Sequence, residues 1–275
     1  MRFTKLWFLV LALALFTLPA VARTSAMGDD ESSCSHLLIG HRYAFVFQGF
    51  VDLGDGKGLT PNVGGGVIHF GRDGRFSSVA KLNIGGVPGT DSLQGNYSMT
   101  EDHNTQPPVC AGTVRADDGT TLQFLVSRNG EVLEQMHTDQ GLIVVVTSLP
   151  MEAGPCTDFS LRGTYLYSAN GFFATISGLL QPFGSYTPFA FSGAISFDGR
   201  GHLTGWDTVS LGGSIAPRTY SGTYHVNPDC SATSEFIDSM GHDLHTINYL
   251  YEGGRAIAVV NIDAGTLLAF NAIRE

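Results

Sequence analysis

Charge is scarce in this chain. Only 15% of its 275 residues are Asp, Glu, Lys or Arg, against about 25% in an average protein. Its 15 basic and 25 acidic residues leave a net charge of −10, and the basic ones form no run. That removes the electrostatic footprint of a nucleic-acid binder and a basic helix lying on anionic lipid. The motifs of common enzymes are also missing. There is no Gly-x-Ser-x-Gly elbow, His-Glu-x-x-His pair, P-loop or dinucleotide fingerprint. No Cys-x-x-Cys occurs, which argues against a zinc-thiolate site. His242 and His245 are three apart, so on a strand they face opposite sides and do not share one ion. Asp52 and Asp55 lack the alternating ligands of a calcium loop. No metal, cofactor or catalytic residue is assigned on this basis.

Apolar residues and glycine are plentiful: 43% hydrophobic, 35 Gly, 18 Phe and 9 Tyr. This composition builds a packed core from many short strands rather than a disordered chain. The N-terminus reads as an export signal. Arg2 and Lys5 precede an apolar stretch over residues 6–18, then Pro19 and the small-residue site Ala20-Val21-Ala22. Residues 1–22 are expected to be removed, with 23–33 as a polar leader and no membrane span following. The mature protein is expected to be secreted or periplasmic.

The dominant feature is an internal repeat near 120 residues. Residues 34–43 align without gaps on 156–165, and 68–100 on 195–227. Ile68, Phe70, Gly74, Gly95 and Tyr97 recur as Ile195, Phe197, Gly201, Gly222 and Tyr224; further on, Cys110, Leu122 and Asp139 recur as Cys230, Leu244 and Asp263. The modules cover 34–148 and 156–275, joined by a linker over 149–155 that holds Pro150 and Pro155.

In the second copy, strands read near 163–170, 188–197, 202–211, 217–226, 231–237, 243–250, 255–262 and 265–273. Turn residues such as Gly212-Gly213 and Pro228-Asp229 separate them. The expected fold is all-β: two tandem eight-stranded antiparallel up-and-down barrels, a size that holds side chains or one small ligand. The first connection of each copy, near 49–64 and 172–187, is long. The second is apolar (Phe172, Phe173, Ile176, Leu179, Leu180, Phe183) and reads as a lid or as a loop packed for stability. The four cysteines repeat with the module, and of three connectivities the repeat favours Cys34–Cys110 and Cys156–Cys230, each closing its own module. Each half is expected to fold when the linker is cut.

Gly163-Thr164-Tyr165 at the first strand and Arg274 near the end resemble the pattern of the calycins, the lipocalin and avidin group. There a Gly-x-Trp opens the barrel and a late basic residue packs on the ring. Tyr165 stands where the group has Trp, and copy one reads His41-Arg42-Tyr43 with no matching late Arg. The modules also resemble uncharacterised secreted bacterial proteins with a Gly-x-Tyr, Asp-Cys, Asp-x-Gly rhythm. The resemblance implies secretion and a barrel, and no chemistry.

Period-two alternation turns Tyr165, Tyr167, Asp207, Thr246 and Asn248 to one interior, where copy one is apolar. A slip of one residue would turn them outward. With Tyr224, these six are the candidate ligand-binding residues. The leading reading is a binding protein that holds a small, partly apolar molecule in the second barrel. The alternatives are an envelope or extracellular interaction protein with filled barrels, and a barrel-type cyclase or isomerase using Asp207. The last strands are apolar on both faces (142–146, 256–262, 267–270). Their outer faces are therefore expected to pack on each other or to form a homodimer.

Overall fold

The computed structural model describes residues 34, 37–56, 58–102, 109–127, 130, 133–151, 154–174 and 185–275. The signal, the leader and most of the apolar second-copy connection lie outside the described residues. Apart from two single-turn 3-10 helices, at Asp158–Ser160 and Glu252–Gly254, all regular structure among the described residues is β-strand. No helix among them is long and apolar enough to cross a membrane.

Barrel one contains β1 (Arg42–Asp52), β2 (Leu59–Phe70), β3 (Arg75–Ile84), β4 (Val87–Asp102), β5 (Val109–Ala116), β6 (Thr121–Val126), β7 (Leu133–His137) and β8 (Leu142–Pro150). Neighbours pair antiparallel in chain order, and β8 closes onto β1. Barrel two repeats the design. It contains β9 (Arg162–Ala174), β10 (Tyr186–Asp198), β11 (His202–Leu211), β12 (Ser214–Val226), β13 (Ser231–Asp238), β14 (Asp243–Tyr251) and β15 (Ala256–Asn261). Its last strand is split at Leu268 into β16 (Thr266–Leu267) and β17 (Ala269–Arg274), and both pieces pair with β9. The two closed eight-stranded barrels expected from the repeat are present.

The hairpins explain the register. Gly212 and Gly213 have φ of +55° and +92°, a turn that matches strand twist and that residues with a Cβ rarely adopt. Pairing therefore runs symmetrically outward from it, Leu211 with Ser214 through to His202 with Thr223. One expectation fails here. The 49–64 connection is largely strand, because β1 and β2 stay paired to Asp52 and Leu59, leaving only residues 53–58 between them. Apolar Val51 and Val63 continue the alternation, and Asp52 Oδ1 caps the turn through the Gly54 amide (2.9 Å).

Each module closes its own disulfide, Cys34–Cys110 and Cys156–Cys230, with Cα separations of 5.5 and 5.0 Å. Such cross-links belong to an oxidising, exported environment. Each ties the segment before the first strand to the fifth strand region.

The modules are not separate bodies, since residues 32–275 form one compact unit. Ala44, Val46 and Val63, on the outer face of β1–β2, join the core of barrel two with Ala258, Val260 and Ala269. Polar bonds frame this seam. Gln48 Nε2 donates to the Asn170 carbonyl (3.1 Å), and Asn83 Nδ2 donates to the carbonyls of Asp263 (3.1 Å) and Thr266 (3.0 Å). The outer face of barrel two's last strands is thus covered mainly by β1–β2, and from β8 only Leu149 is packed against that core. On β8, Ile143 and Val145 remain 58% and 60% exposed.

Candidate functional site

The interior of barrel two carries a buried charge network. Asp207 faces inward at 2% exposure while its neighbour Trp206 is 59% exposed, which fixes the phase of β11. Directly opposite on β12 stands Arg218. Its Nε donates to Asp207 Oδ1 (3.0 Å) and its Nη2 to Oδ2 (2.7 Å), a bidentate pair. Arg218 Nη1 reaches Asp238 Oδ2 at 3.3 Å. Tyr167 Oη donates to Asp207 Oδ2 (3.2 Å) and lies 2.5 Å from Tyr220 Oη.

The electrostatics follow from these contacts. Desolvation opposes the Arg218 charge, but the hydrogen bonds and charges of Asp207 and Asp238 outweigh it and push its pKa up. Desolvation would raise the Asp238 pKa. The amides of His242 and Met240 and the His242 ring donate to that carboxylate, and they hold it below the usual value. Burial, followed by the neighbouring hydroxyl and Asp207, pushes Tyr167 up strongly. Both Asp207 oxygens are engaged in hydrogen bonds.

The six candidates divide into two groups. Tyr167, Asp207, Thr246 and Asn248 line one interior space. Asn248 Nδ2 donates to Ser234 Oγ (2.8 Å) and Thr246 Oγ1 to Asn248 Oδ1 (3.3 Å). Tyr165 and Tyr224 are not on its wall. The Tyr165 hydroxyl donates to the Gly254 carbonyl, and burial raises its pKa to about 12. Tyr224 Oη donates to the carbonyls of Leu161 (2.8 Å) and Asp158 (3.1 Å). These two tyrosines fasten the segment around Asp158–Ser160 and the turn at Gly254. Arg274 pairs with Tyr165 across β9–β17 and packs on Gly163, where an added Cβ would meet its side chain at 3.2 Å.

Space is distributed against expectation. The cavity in barrel two is only about 70 Å³. Aromatic rings fill the barrel: Phe173 stacks on Phe189 at 4.4 Å, Phe189 on Phe191 at 5.8 Å, and Phe270 meets Phe191 edge-on at 5.6 Å. Barrel one holds a cavity of about 230 Å³. At the positions of Phe189 and Phe191 it has Asn62 and Gly64, so β2 contributes far less bulk. The wall is mostly apolar, including Phe45, Phe47, Ile68, Leu82, Ile84, Leu122 and Val144, with Asn62, Ser78, Asp91, Thr120, Gln135 and His137 as its polar members.

Two of these polar groups lack partners. Asn62 is 8% exposed, and its Oδ1 accepts no hydrogen bond; neither does His137 Nδ1. An orphaned buried acceptor costs about 1–3 kcal/mol. His137 Nδ1 lies 3.8 Å from Asp139 Oδ2, too far for a hydrogen bond, because Asp139 is held by the Thr121 amide (2.9 Å) and hydroxyl (2.6 Å). Desolvation lowers the His137 pKa despite that carboxylate.

The repeat correspondence also shifts in one strand. Asp263 holds the His245 amide (2.8 Å) as Asp139 holds that of Thr121, so His245 and Thr121 are equivalent. The counterparts of Leu122 and Phe124 are therefore Thr246 and Asn248, two residues later than the expected match of Leu122 with Leu244. Between equivalent pairs, Arg115 with Thr121 and Glu235 with His245, the β13–β14 hairpin is four residues longer than the β5–β6 hairpin, and an even shift leaves the inward face unchanged. Arg218 occupies the position of Asp91. Sequence reasoning passed over Arg218, Asn62 and His137. The hairpin centre at Gly212-Gly213 already places residue 218 opposite 207, and that was the available signal for Arg218.

No protein-family model matches the sequence, and no curated protein matches it. Among solved structures, the chain is similar to a protein of unknown function of the DUF3598 family from Nostoc punctiforme PCC 73102. The identity is 12% and the TM-score 0.23, and the match covers 88% of this chain and 98% of that one.

Proposed function

We propose that this is a secreted, non-catalytic binding protein that holds a small, largely apolar molecule in barrel one, with barrel two as its filled partner. The observation that carries the reading is the cavity of about 230 Å³. A dry apolar cavity of about 150 Å³ already admits benzene, whereas drug-sized ligands need roughly 300 Å³ or more. The occupant is therefore a single substituted ring or a short branched chain. Secretion rests on the N-terminal signal and the two disulfides. The calycin resemblance is supported by the packing of Arg274 against Gly163 and Tyr165.

The test is toluene binding by saturation-transfer NMR on the full chain. Toluene should bind the native protein and not Ala80→Phe, whose ring would fill the cavity wall. Absence of binding to the native protein overturns the reading and favours a surface-acting envelope protein.

A ligand in barrel two is the second reading, favoured by the buried Asp207–Arg218 pair beside Tyr167, Thr246 and Asn248. It requires the ring cluster of Phe173, Phe189 and Phe191 to move. Toluene contacts that survive Ala80→Phe and vanish in Val209→Phe would select it. A homodimer through the last strands would use the outer face of β8, the one left uncovered.

A further inference from the structure

We propose that the outer face of β9–β12 is a docking surface for a neutral glycan chain, with the Trp206 indole as its stacking platform and the flanking Ser and Thr hydroxyls as its hydrogen-bonding groups. The surface lies outside both barrels, so it stands or falls apart from the cavity reading above.

Alternation and register set the outward side chains in rows that cross the strands. The middle row runs Leu166, Ala194, Trp206 and Thr219, and Ile273 of β17 extends it beyond Leu166. On one side lies the row Thr164, Ser196, Thr204; on the other lies Ser168, Ser192, Thr208. A band of apolar side chains is thus edged on both sides by hydroxyls. Large apolar residues set singly on a surface need no explanation, but Ile273, Leu166 and Trp206 share one row. Trp206 is 59% and Leu166 52% exposed, while Ala194 between them is only 6% exposed. Ser192 and Ser196, the outward residues before and after Ala194 on β10, are small. Its cover therefore comes from the two large side chains beside it, whose outer surfaces stay in water. Next to the band the face dips into an open trough of about 490 Å³, lined by Ser168, Ser192, Thr208, Ser210 and Ile215. The hydroxyls of Thr204, Thr208 and Ser210 have no partner among the described residues.

The class of ligand follows from this surface. A sugar ring presents C–H groups on its faces and hydroxyls around its edge. The C–H faces pack on the electron-rich face of an indole, and Ser and Thr hydroxyls both donate to and accept from the edge. None of the outward residues in the three rows is charged. An anionic polymer would find no counter-charge here, and a neutral chain needs none. The matching face of barrel one is different. Arg42, His69 and Lys81 stand at the positions of Thr164, Ser196 and Thr208, and Val79 at that of Trp206. Part of that face is also taken up by the seam. The uncharged rows and the exposed indole therefore belong to barrel two alone.

The test is isothermal titration calorimetry on the full chain with cellotetraose, maltotetraose and N-acetylated chitotetraose as neutral probes and tetragalacturonate as the anion. At least one neutral probe should bind, and tetragalacturonate should not. Trp206→Ala should weaken that binding at least about tenfold, the scale of losing an aromatic anchor. Thr208→Val, which keeps the shape and removes the hydroxyl, should weaken it at least threefold. Both residues are exposed, so the urea midpoint should not move in either variant, and a shift would mark the lost binding as a lost fold and overturn the assignment. Failure of all three neutral probes, or equal binding of tetragalacturonate, overturns the proposal. Unchanged binding in Trp206→Ala removes the platform, and in Thr208→Val the hydroxyl contacts. A native dimer that Trp206→Ala splits into monomers on analytical ultracentrifugation would give this face to a second copy of the chain and overturn the glycan reading.

Discussion

Asp207 and Arg218 stand directly opposite each other on β11 and β12 and close a two-bond ion pair inside a barrel, at 3.0 and 2.7 Å. The pair is shielded from water, with side-chain exposures of 1% for Asp207 and 13% for Arg218. Breaking such a pair from one side is costly, because the remaining charge stays buried. Asp207→Asn should destabilise the protein by about 3–5 kcal/mol, read as a lower urea midpoint by circular dichroism. Replacing both partners, Asp207→Leu with Arg218→Met, should recover most of that loss. An Asp207→Asn midpoint equal to that of the native chain would show that the network contributes nothing to stability.

Gly205 makes room for a ring. A Cβ built there would lie 2.3 Å from the Tyr220 ring, its cross-strand partner. Gly205→Ala should therefore cost about 1–3 kcal/mol through overpacking. Tyr220→Leu in the same chain should relieve the clash, so that the two changes together cost less than their sum. Simple additivity in urea unfolding would contradict this.

Stability should respond to pH in two windows. The Asp238 pKa is depressed below its ordinary 3.8, so its contribution is present above that value and lost as the pH falls through the lower folded pKa. Asp238→Asn should flatten acid unfolding below about pH 4. The His245 pKa is raised above 6.5, first by its hydrogen bond to Asp263. Its contribution is therefore complete below 6.5 and fades as the pH rises through the folded value. His245→Gln should lose more stability at pH 5.5 than at pH 8.5, and equal losses would refute the sign.

Separated halves should not behave as two clean monomers. Cutting between the modules, after removal of the leader, would bare Ala44, Val46 and Val63 on one half and Ala258 and Val260 on the other. The halves should stay associated on size-exclusion chromatography after cleavage of an engineered site at Gly154, and each half expressed alone should bind an apolar dye. Two non-interacting, dye-silent halves would contradict the seam.

Strand phase and disulfide pairing were legible because both follow from local rules. Alternation placed Asp207 inside and Trp206 outside, and the repeat paired Cys34 with Cys110. Arg218 was legible too, through the hairpin centre, but reading β11 without β12 missed it. The relative emptiness of the barrels was not legible. It depends on the sum of many inward volumes, and the decisive ones sit on β2 and β10, where Asn62 and Gly64 face the positions held by Phe189 and Phe191 in the other copy. The polar residues of barrel two suggested a pocket; in the fold they satisfy one another and are roofed by rings. Tyr165 and Tyr224 illustrate the same limit: alternation turned Tyr165 inward correctly and Tyr224 is buried beside it, while their hydroxyls are used by backbone carbonyls far along the chain.

The seam also bears on the order of synthesis. Barrel one is complete at Pro150, before any strand of barrel two exists, yet its β1–β2 face packs on Ala258, Val260 and Ala269, which lie more than a hundred residues later on β15 and β17. During synthesis, a closed first barrel therefore carries a bare apolar flank until those later residues arrive. A truncation that removes β17 would take Ala269 off that flank and leave Ala258 and Val260 of β15 on it, so part of the damage would appear in the module farthest from the cut in sequence.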